Sequence, residues 1–239
     1  SCNSKKDEIP TITDFVNKDE SKISWTREVL ADLGRFTSRS FMPDGIVISH
    51  YRPFSKQWMY FNNHFNNCVY QMPRIFPDAS VQNRVICLTG LGESKGFTPL
   101  ITDVVPNFHF IAGSQGFPLK LYEAASEEES DAPTDQPQGD LFSQPVAEPA
   151  TDQPRYTVKD GISDAGLAHF QAASPTETLS KEDLFYYIYG LLHSEEYKTR
   201  YADNLTKELP RIPAVKQSAD FWAFSKAGRE LAELHVNYE

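Results

Sequence analysis

Residues 180 to 194 of this 239-residue chain have the sequence SKEDLFYYIYGLLHS. Ser180 followed three positions later by Asp183 is typical of a capping box, in which each side chain bonds the other residue's backbone at a helix start. Apolar side chains then recur at helical spacing and share one face: Leu184, Phe185, Ile188, Leu191 and Leu192. This stretch predicts a buried helix and places helical structure in the C-terminal half.

Further helices are predicted on both sides of this stretch. Ser163 can cap a short helix that runs to about Ala172, and Ser194 can cap another that ends before Pro210. Ser218 opens a last helix, whose apolar stripe is formed by Phe221, Phe224, Gly228, Leu231 and Leu234. Because glycine has no side chain, its place in this stripe indicates a close approach between two helices.

The N-terminal half has shorter segments rich in β-branched and aromatic residues, separated by Gly, Pro and Asn, which favour strands. A helix from Ser24 to about Leu33, ended by Gly34, comes first. Residues 46–50 and 57–61 predict a hairpin with a turn at 52–55. Further strands are predicted at 81–89, 97–105, 108–112 and 119–122. The predicted fold is mixed α/β, of the α+β kind, with a sheet-containing N-terminal half and a helical C-terminal half.

Residues 124–155 separate the two halves and are rich in Pro, Asp, Glu, Gln and Ser, with TDQP repeated at 134–137 and 151–154. Such a composition cannot bury enough apolar surface to offset its ordering entropy, so we predict a mobile surface insertion. An acidic DNA mimic or a partner-binding segment is the functional alternative. The predicted organisation is an α/β subdomain at 1–123, the insertion at 124–155 and a helical subdomain at 156–239.

The net charge of −10 is concentrated in the same region. Nine carboxylates and no Lys or Arg lie between Glu123 and Asp152, and without them the net charge would be −1. Phosphate contacts must therefore come from local clusters of cations and not from the charge of the whole chain. The sequence has no apolar run of membrane-spanning length, no signal peptide and only three cysteines, without C-x-x-C spacing, which favours a cytoplasmic protein.

Motifs for catalysis are sparse. The loop GLGESKG at residues 90–96 lacks the Gly-Lys-Ser/Thr ending of a phosphate-binding loop. Asp78, Glu93 and Lys95 match the loose PD…ExK pattern of metal-dependent nucleases. However, the strand predicted between the two carboxylates would separate them by about 30 Å at roughly 3.3 Å per residue. We therefore predict no catalytic residue and no metal site, and retain a stand-alone nuclease as the least favoured alternative.

Two of the six histidines, His193 and His235, lie near predicted helix ends. A cation there would complement the helix dipole.

Several strings along the chain resemble the C-terminal region of type ISP restriction-modification enzymes. They are SWTR at 24–27, YRPFSKQWMYF at 51–61, YQMPRIFP at 70–77, FPLKLY at 117–122, FYYIYGLLHS at 185–194, LPRIP at 209–213 and GRELAELH at 228–235. The resemblance covers most of the chain apart from the acidic segment, which is not part of the family pattern.

The resemblance implies a function in DNA recognition. Type ISP enzymes join a nuclease, an ATP-driven translocase, a coupling region, an adenine methyltransferase and a target recognition domain in one polypeptide. This chain is similar to the last of these, which implies double-stranded DNA and the intramolecular methyltransferase and coupling domains as its partners. It also implies no cofactor in this chain, with S-adenosylmethionine, ATP and Mg²⁺ expected on other domains. A coupling domain that does not itself bind DNA is the alternative.

DNA recognition needs Arg or Lys on phosphates and Arg, Lys, Asn or Gln on base edges. Candidate DNA-binding residues lie at predicted turns and loops: Arg35, Arg39, Arg52, Lys56, Arg74, Asn83, Arg84, Ser94, Lys95 and Gln115. The helical half is assigned, as a hypothesis, to docking against the methyltransferase domain.

Overall fold

The computed structural model describes residues 16, 17, 19, 25–66, 68–94, 96–124 and 156–238. Ser24, Lys95 and the predicted insertion from residue 125 onward lie outside the described residues. None of the helices formed by the described residues combines the length and the hydropathy that a membrane span needs.

Side-chain caps begin most of the longer helices. The helices are α1 (Arg27–Gly34), α2 (Met72–Ile75), α3 (Asp164–Ala173), α4 (Lys181–His193), α5 (Glu195–Arg200), α6 (Ala202–Leu205) and α7 (Ser218–Val236). Ser163, Ser180 and Ser194 cap α3, α4 and α5 as predicted, and Asp183 completes the capping box of α4. Helix α1 begins later than predicted, because the hydroxyl of Thr26 accepts the Val29 N–H and makes Thr26 the N-cap.

The strands form three small sheets. They are β1 (Ile46–Arg52), β2 (Ser55–Tyr60), β3 (Val85–Leu88), β4 (Pro99–Thr102), β5 (Val105–Pro106), β6 (Gln115–Pro118), β7 (Lys120–Ala124) and β8 (Tyr156–Asp160). The sheet orders are β2-β1-β5, β4-β3-β6 and β7-β8. The predicted hairpin is confirmed: β1 and β2 pair antiparallel, with Ile46 opposite Tyr60 and an irregularity between His50 and Arg52.

Two of the predicted strands are shorter than expected. The strand predicted at 81–89 is β3 alone, because the side-chain amide of Asn83 donates to the carbonyls of Ile75 and Lys120 and ties the preceding backbone to other segments. The strand predicted at 97–105 is split into β4 and β5, where the Thr102 hydroxyl bonds the backbone of Val104.

The strand predicted at 108–112 is wrong, and a turn occupies this region. The Asn107 side chain accepts the His109 N–H at 2.8 Å, and the Asn107 carbonyl accepts the Phe110 N–H at 2.9 Å. Ala112 and Gly113 then take φ values of 64° and 57°, which a strand cannot contain. Strands β6 and β8 were not predicted.

Strands β7 and β8 join the two predicted halves. They pair antiparallel, with Ala124 directly opposite Tyr156, so the residues that flank segment 125–155 are neighbours in space. The helical part of the chain therefore begins with a strand that belongs to a sheet of the N-terminal part.

Strand β3 is buried on both faces and divides the core in two. Ile86 and Leu88 point into a cluster formed mainly by α3, α4 and α7, whereas Val85 and Cys87 point into a cluster with Ile75, Val105 and Phe110. This alternation follows the two-residue period of a strand. The sheet β4-β3-β6 thus lies between the helices on one side and the β1–β2 hairpin with α2 on the other.

The helices α4 and α7 approach closely at two glycines, as the apolar stripe predicted. A Cβ on Gly190 would lie 2.3 Å from the Phe224 carbonyl oxygen, and one on Gly228 would lie 2.0 Å from the Tyr186 carbonyl oxygen. Neither position has space for a side chain.

Candidate nucleic-acid interface

A cleft of about 760 Å³ opens beside the β1–β2 hairpin. Residues 65, 66 and 68–72, which follow the hairpin, form one wall, and residues 105–108 with 113–116 form the other. The floor is apolar and belongs to the core cluster on the Val85 and Cys87 side of β3. Its side chains include Met59, Phe61, Ile75, Cys87 and Val105. None of the lining residues is Asp, Glu, Lys or Arg.

Two aromatic rings face each other at the cleft. The ring centres of Tyr70 and Phe108 are 6.5 Å apart, and the ring planes are 23° from parallel. Tyr70 is 71% exposed and Phe108 is 55% exposed, so both rings reach solvent. Large exposed aromatic side chains on loops are typical of binding surfaces.

Side-chain amides surround the same cleft. Asn66, Gln71, Asn107 and Gln115 all line it. The oxygen of Asn66 accepts the Asn62 N–H, and the oxygen of Asn107 accepts the His109 N–H. Because these oxygens are held by the protein, the amide NH₂ groups are the part that can serve a ligand.

Three of the predicted DNA-binding residues gather at this cleft. Gln115 lines it, Arg52 Nη1 lies 3.5 Å from the Asn107 side-chain oxygen, and Arg74 Nη1 donates to the Gln71 side-chain oxygen at 3.1 Å. Arg52 also lies over the ring of Tyr51, with 4.2 Å between its guanidinium carbon and the ring centre. Arg52 is exposed and no carboxylate pairs with it among the described residues, whereas Arg74 is paired with Glu123 at 2.5 Å.

Glu123 is a shared acceptor, since Lys159 also binds it at 2.5 Å. The hydrogen bond from Lys159 is the main cause that lowers the pKa of Glu123, and Arg74 adds to it. A phosphate at Arg74 must therefore compete with a carboxylate that is firmly ionised, whereas one at Arg52 meets no such competitor.

Two further predicted residues lie near helix α1. Arg35 is its exposed C-cap, and Arg39 is paired with Asp32, which also contacts His64 at 2.5 Å. The hydrogen bond from Arg39 is the main cause that lowers the pKa of Asp32. Asp32 therefore links α1 to the loop that leads into the cleft wall.

Ser94 is exposed in the loop after β3, and Lys95 lies outside the described residues. This loop contacts the cleft turn, because the Gly90 N–H donates to the Ala112 carbonyl at 3.2 Å.

Three predicted residues are used inside the fold. Asn83 is 5% exposed, and its amide bonds the backbone of Ile75 and Lys120. Lys56 donates to the Val236 carbonyl at 2.9 Å and lies 3.6 Å from Asp103. Arg84 binds Glu233 at 2.8 Å. The contacts of Lys56 and Arg84 tie the sheet region to the end of α7, and those of Asn83 join α2 to β7. All three side chains are therefore used inside the fold.

Tyr70, Phe108, Asn66, Gln71 and Asn107 were not predicted as site residues. A signal for one wall was present in residues 62–71, NNHFNNCVYQ, where four asparagines stand beside Phe65 and Tyr70. Turn-forming Asn residues that alternate with aromatics indicate an aromatic side chain on a loop. The opposite wall gives no comparable signal, because Phe108 belongs to a stretch that resembles a strand.

The residues of the nuclease-like pattern have separate structural partners. Asp78 accepts bonds from Ser80 and from the hydroxyl of Tyr156, whereas Glu93 lies beside Gly113. No cluster of three or more His, Cys, Asp or Glu side chains suited to a metal ion is found within the described ranges. The structure therefore lends the nuclease alternative no support.

Two histidines near helix ends, His193 and His235, are half-buried. Burial is the main cause that lowers the pKa of His193 to about 4, and it also lowers the pKa of His235, whose Nδ1 lies 2.5 Å from the Tyr189 hydroxyl oxygen. Burial disfavours the cation that would complement the helix dipole at these two positions. His50, 1% exposed and 2.7 Å from the Thr102 hydroxyl, also has its pKa lowered to about 4 by burial.

Comparisons of the sequence with family models and of the fold with solved structures point to the same group of proteins. A family model described as the Type ISP C-terminal specificity domain matches residues 2–239. A cryo-EM structure of a DrdV–DNA complex is 30% identical, with a TM-score of 0.74, over 95% of this chain and 19% of that one. A search of curated proteins found no match.

Two further solved structures are similar. The ATP-dependent Type ISP restriction-modification enzyme LlaBIII bound to DNA is 31% identical, with a TM-score of 0.69, over 91% of this chain and 12% of that one. A nuclease-deletion mutant of the Type ISP restriction-modification enzyme LlaGI in complex with a DNA substrate mimic is 30% identical, with a TM-score of 0.68, over 96% of this chain and 14% of that one. The chain thus spans only 12 to 19% of the length of these three proteins.

Proposed function

The chain belongs to the Type ISP C-terminal specificity domain family, and from this membership we propose that it recognises a short site in double-stranded DNA for a Type ISP restriction-modification enzyme. The observation that carries the proposal is the match of the family model to residues 2–239. The similarity to three proteins solved in complexes with DNA supports it.

The cleft and its rim are the surface that we assign to DNA. Arg52 and Arg74 supply positive charge on two sides of it, and Gln115 supplies an amide of the kind that bonds base edges. The rim also carries exposed aromatic rings and loops that a duplex can reach. By contrast, the predicted contacts Asn83, Lys56 and Arg84 are excluded from this surface by their internal bonds.

The charge at this surface predicts a weak salt dependence of DNA binding. Each phosphate contact contributes about −0.9 to the slope of log K against log salt concentration. With Arg52 and Arg74 as the two cations beside the cleft, the slope should be small for a DNA-binding domain, and Arg52→Ala should reduce its magnitude by about 1.

Methylation, translocation and cleavage are expected to lie on other parts of the enzyme. The same applies to S-adenosylmethionine, ATP and Mg²⁺, for which we assign no residue of this chain. The role of the chain would be to position the DNA relative to those parts.

Selection from a random DNA pool tests the proposed function directly. The 239-residue chain is mixed with duplexes that carry a randomised centre, and bound DNA is amplified and sequenced over several rounds. Enrichment of one short site is the expected result, with weaker enrichment for Arg52→Ala. If the chain binds duplexes in a salt-dependent way but enriches no sequence, recognition of a specific site is contradicted. If the chain retains no duplex at all, DNA binding itself is contradicted.

A second role, docking onto a neighbouring domain, is favoured by one face of the hairpin. Ile46, Ile48 and Trp58 share the face opposite to the core, and Trp58 is 72% exposed. Of the seventeen large hydrophobic side chains exposed in the described part, only Val158, Leu209 and Leu234 lie after residue 155. We therefore move the proposed contact with the methyltransferase domain from the helical half to this hairpin face.

Trp58→Glu tests this second role. In the intact enzyme it should lower methylation, while the isolated variant chain still selects the same DNA site. If the intact variant methylates DNA at the wild-type rate, the hairpin face does not dock the methyltransferase domain.

A further inference from the structure

The cleft described above lacks charge although it lies beside two arginines. Its lining includes no Asp, Glu, Lys or Arg, and its floor is apolar. A phosphate or a metal ion would gain no charge partner inside it and would lose its hydration. The ligand that suits such a lining is neutral and largely apolar, with a few hydrogen-bonding groups at its edge.

The aromatic pair indicates the shape of this ligand. The centres of the Tyr70 and Phe108 rings are 6.5 Å apart, and the rings are close to parallel. Stacked bases in DNA are about 3.4 Å apart, so one planar ring between two others needs a separation of about 6.8 Å. The observed spacing is close to this value, and both rings are more than half exposed.

The amides around the cleft indicate the chemistry of its edge. Asn66 and Asn107 have their oxygens bound to backbone N–H groups, and Gln71 has its oxygen bound to Arg74. Their NH₂ groups are available as donors to a ligand in the cleft, and Gln115 adds an amide to the lining. Donors at the edge of a planar pocket suit the ring nitrogens and carbonyl oxygens of nucleobases.

Both walls of the cleft are held in uncommon backbone conformations. Cys68 and Tyr70 have φ values of 55° and 47° on one side, and Ala112 and Gly113 have 64° and 57° on the other. Non-glycine residues in this region are strained, and such residues cluster at binding sites.

The positions of the arginines favour a base that belongs to DNA. Arg52 contacts Asn107 on one wall and Arg74 contacts Gln71 on the other. A nucleotide swung out of a strand would bring a flanking phosphate toward Arg52, whereas a phosphate at Arg74 would have to displace Glu123.

From these observations we propose that the cleft binds one unstacked nucleobase of the bound DNA, stacked between Tyr70 and Phe108 and hydrogen-bonded by the amides around them. The inference rests on the proposed function. It assigns to the domain a contact with a single extruded base in addition to contacts along the duplex.

The test uses the 239-residue chain and two duplexes of the same length. One carries 2-aminopurine as a single unpaired bulge, and the other carries it paired with thymine. The bulged duplex should bind at least about tenfold more tightly, because its base is already partly unstacked. The fluorescence of the bulged 2-aminopurine should fall on binding, since stacking on aromatic rings quenches it.

Variants locate the contact. Tyr70→Leu and Phe108→Leu should remove both the preference and the quenching, whereas Tyr70→Phe should keep them because it retains a ring. Phe36→Leu is the matched control, since Phe36 is 93% exposed and does not line the cleft. It should behave as the wild type.

The outcomes separate this inference from the proposed function. Equal binding of the two duplexes, or a preference that persists in Tyr70→Leu, would overturn the inference and leave DNA recognition standing. Binding of neither duplex would contradict the proposed function, and the inference would fall with it. Binding of free 2-aminopurine nucleoside as tightly as the bulged duplex would overturn the assignment of the base to DNA.

Discussion

Replacing Gly228 by alanine should destabilise the fold, because α4 and α7 touch through their backbones at this point. The added Cβ would lie 2.0 Å from the Tyr186 carbonyl oxygen and 2.9 Å from the Gly190 nitrogen. Ordinary contacts begin at 3.4 Å. Because both neighbours are backbone atoms of α4, no side-chain rotation relieves the overlap, and the helices must separate by more than about 1 Å.

The magnitude follows from two opposing effects. Alanine favours a helix interior over glycine by about 0.8–1 kcal/mol. Overpacking a well-packed core costs about 1–3 kcal/mol, occasionally more, and here the overlap is with rigid backbone. The separation would also loosen Leu184, Tyr187 and Phe221 in the helical core. We expect a net loss of about 2 kcal/mol, which lowers Tm by about 4–8 °C for a chain of this size.

Urea unfolding followed by circular dichroism measures this change. Gly166→Ala in α3 is the matched control, because its Cβ would lie 3.3 Å from the Ser163 hydroxyl oxygen and 3.7 Å from an Ile162 methyl carbon, both of which can shift. The control should keep or slightly raise the free energy of unfolding. If Gly228→Ala is as stable as the control, the close crossing of α4 and α7 is refuted.

Three further predictions concern acid stability, the acidic segment and the cleft thiol. His50 and His193 have folded pKa values of about 4, below the ordinary histidine pKa of about 6.5, so their stabilising effect is present above pH 6.5 and is lost as the pH falls toward 4. The free energy of unfolding, measured by urea titration, should therefore be lower at pH 5 than at pH 7.5 by up to about 2 kcal/mol for each histidine. His193→Gln should narrow that difference, and an unchanged difference would show that His193 is not held as a neutral group. Replacing residues 125–155 by Asn-Gly should leave Tm unchanged, because Ala124 and Tyr156 are already paired. It should strengthen DNA binding at low salt, because it removes net negative charge. Weaker DNA binding would contradict the interpretation of this segment as an insertion that takes no part in DNA binding. Cys68 is exposed at the cleft, whereas Cys87 is buried and burial raises its pKa to about 12. In a Cys2→Ser variant, alkylation should therefore label Cys68 alone, and duplex DNA should slow the labelling. Labelling that DNA does not slow would show that the DNA binds elsewhere.

The helical half could be predicted closely from the sequence because its signals are local. The caps at Ser163, Ser180 and Ser194 depend on backbone groups at most three residues away. The close approach at Gly228 could be predicted for the same reason, from an apolar stripe within one helix.

The strands between residues 81 and 122 depend on partners far along the chain, which the sequence does not reveal. Asn83 bonds Lys120, which is 37 positions away, and this bond shortens β3. Strand β8 pairs with β7 across the 31 residues of the acidic segment, so no local pattern marks it as the second strand of a hairpin.

The candidate site shows the same division. Arg52, Arg74 and Gln115 were predicted at turns and loops, and the structure places them at the end of β1, in α2 and at the start of β6, where all three are exposed. Lys56 and Arg84 looked similar, but their partners lie 180 and 149 residues away at the end of α7. Tyr70 and Phe108 become a pair only when two loops fold together, and no pattern in either loop shows that.

Hydrogen exchange of the 239-residue chain with and without its selected duplex tests the central claim most directly. The account predicts that DNA protects the backbone amides at residues 62–72 and 106–116, which form the two walls of the cleft, and leaves α4 and α7 unchanged. Protection confined to residues 164–236, or no protection at either cleft wall in a chain that binds DNA, would contradict it.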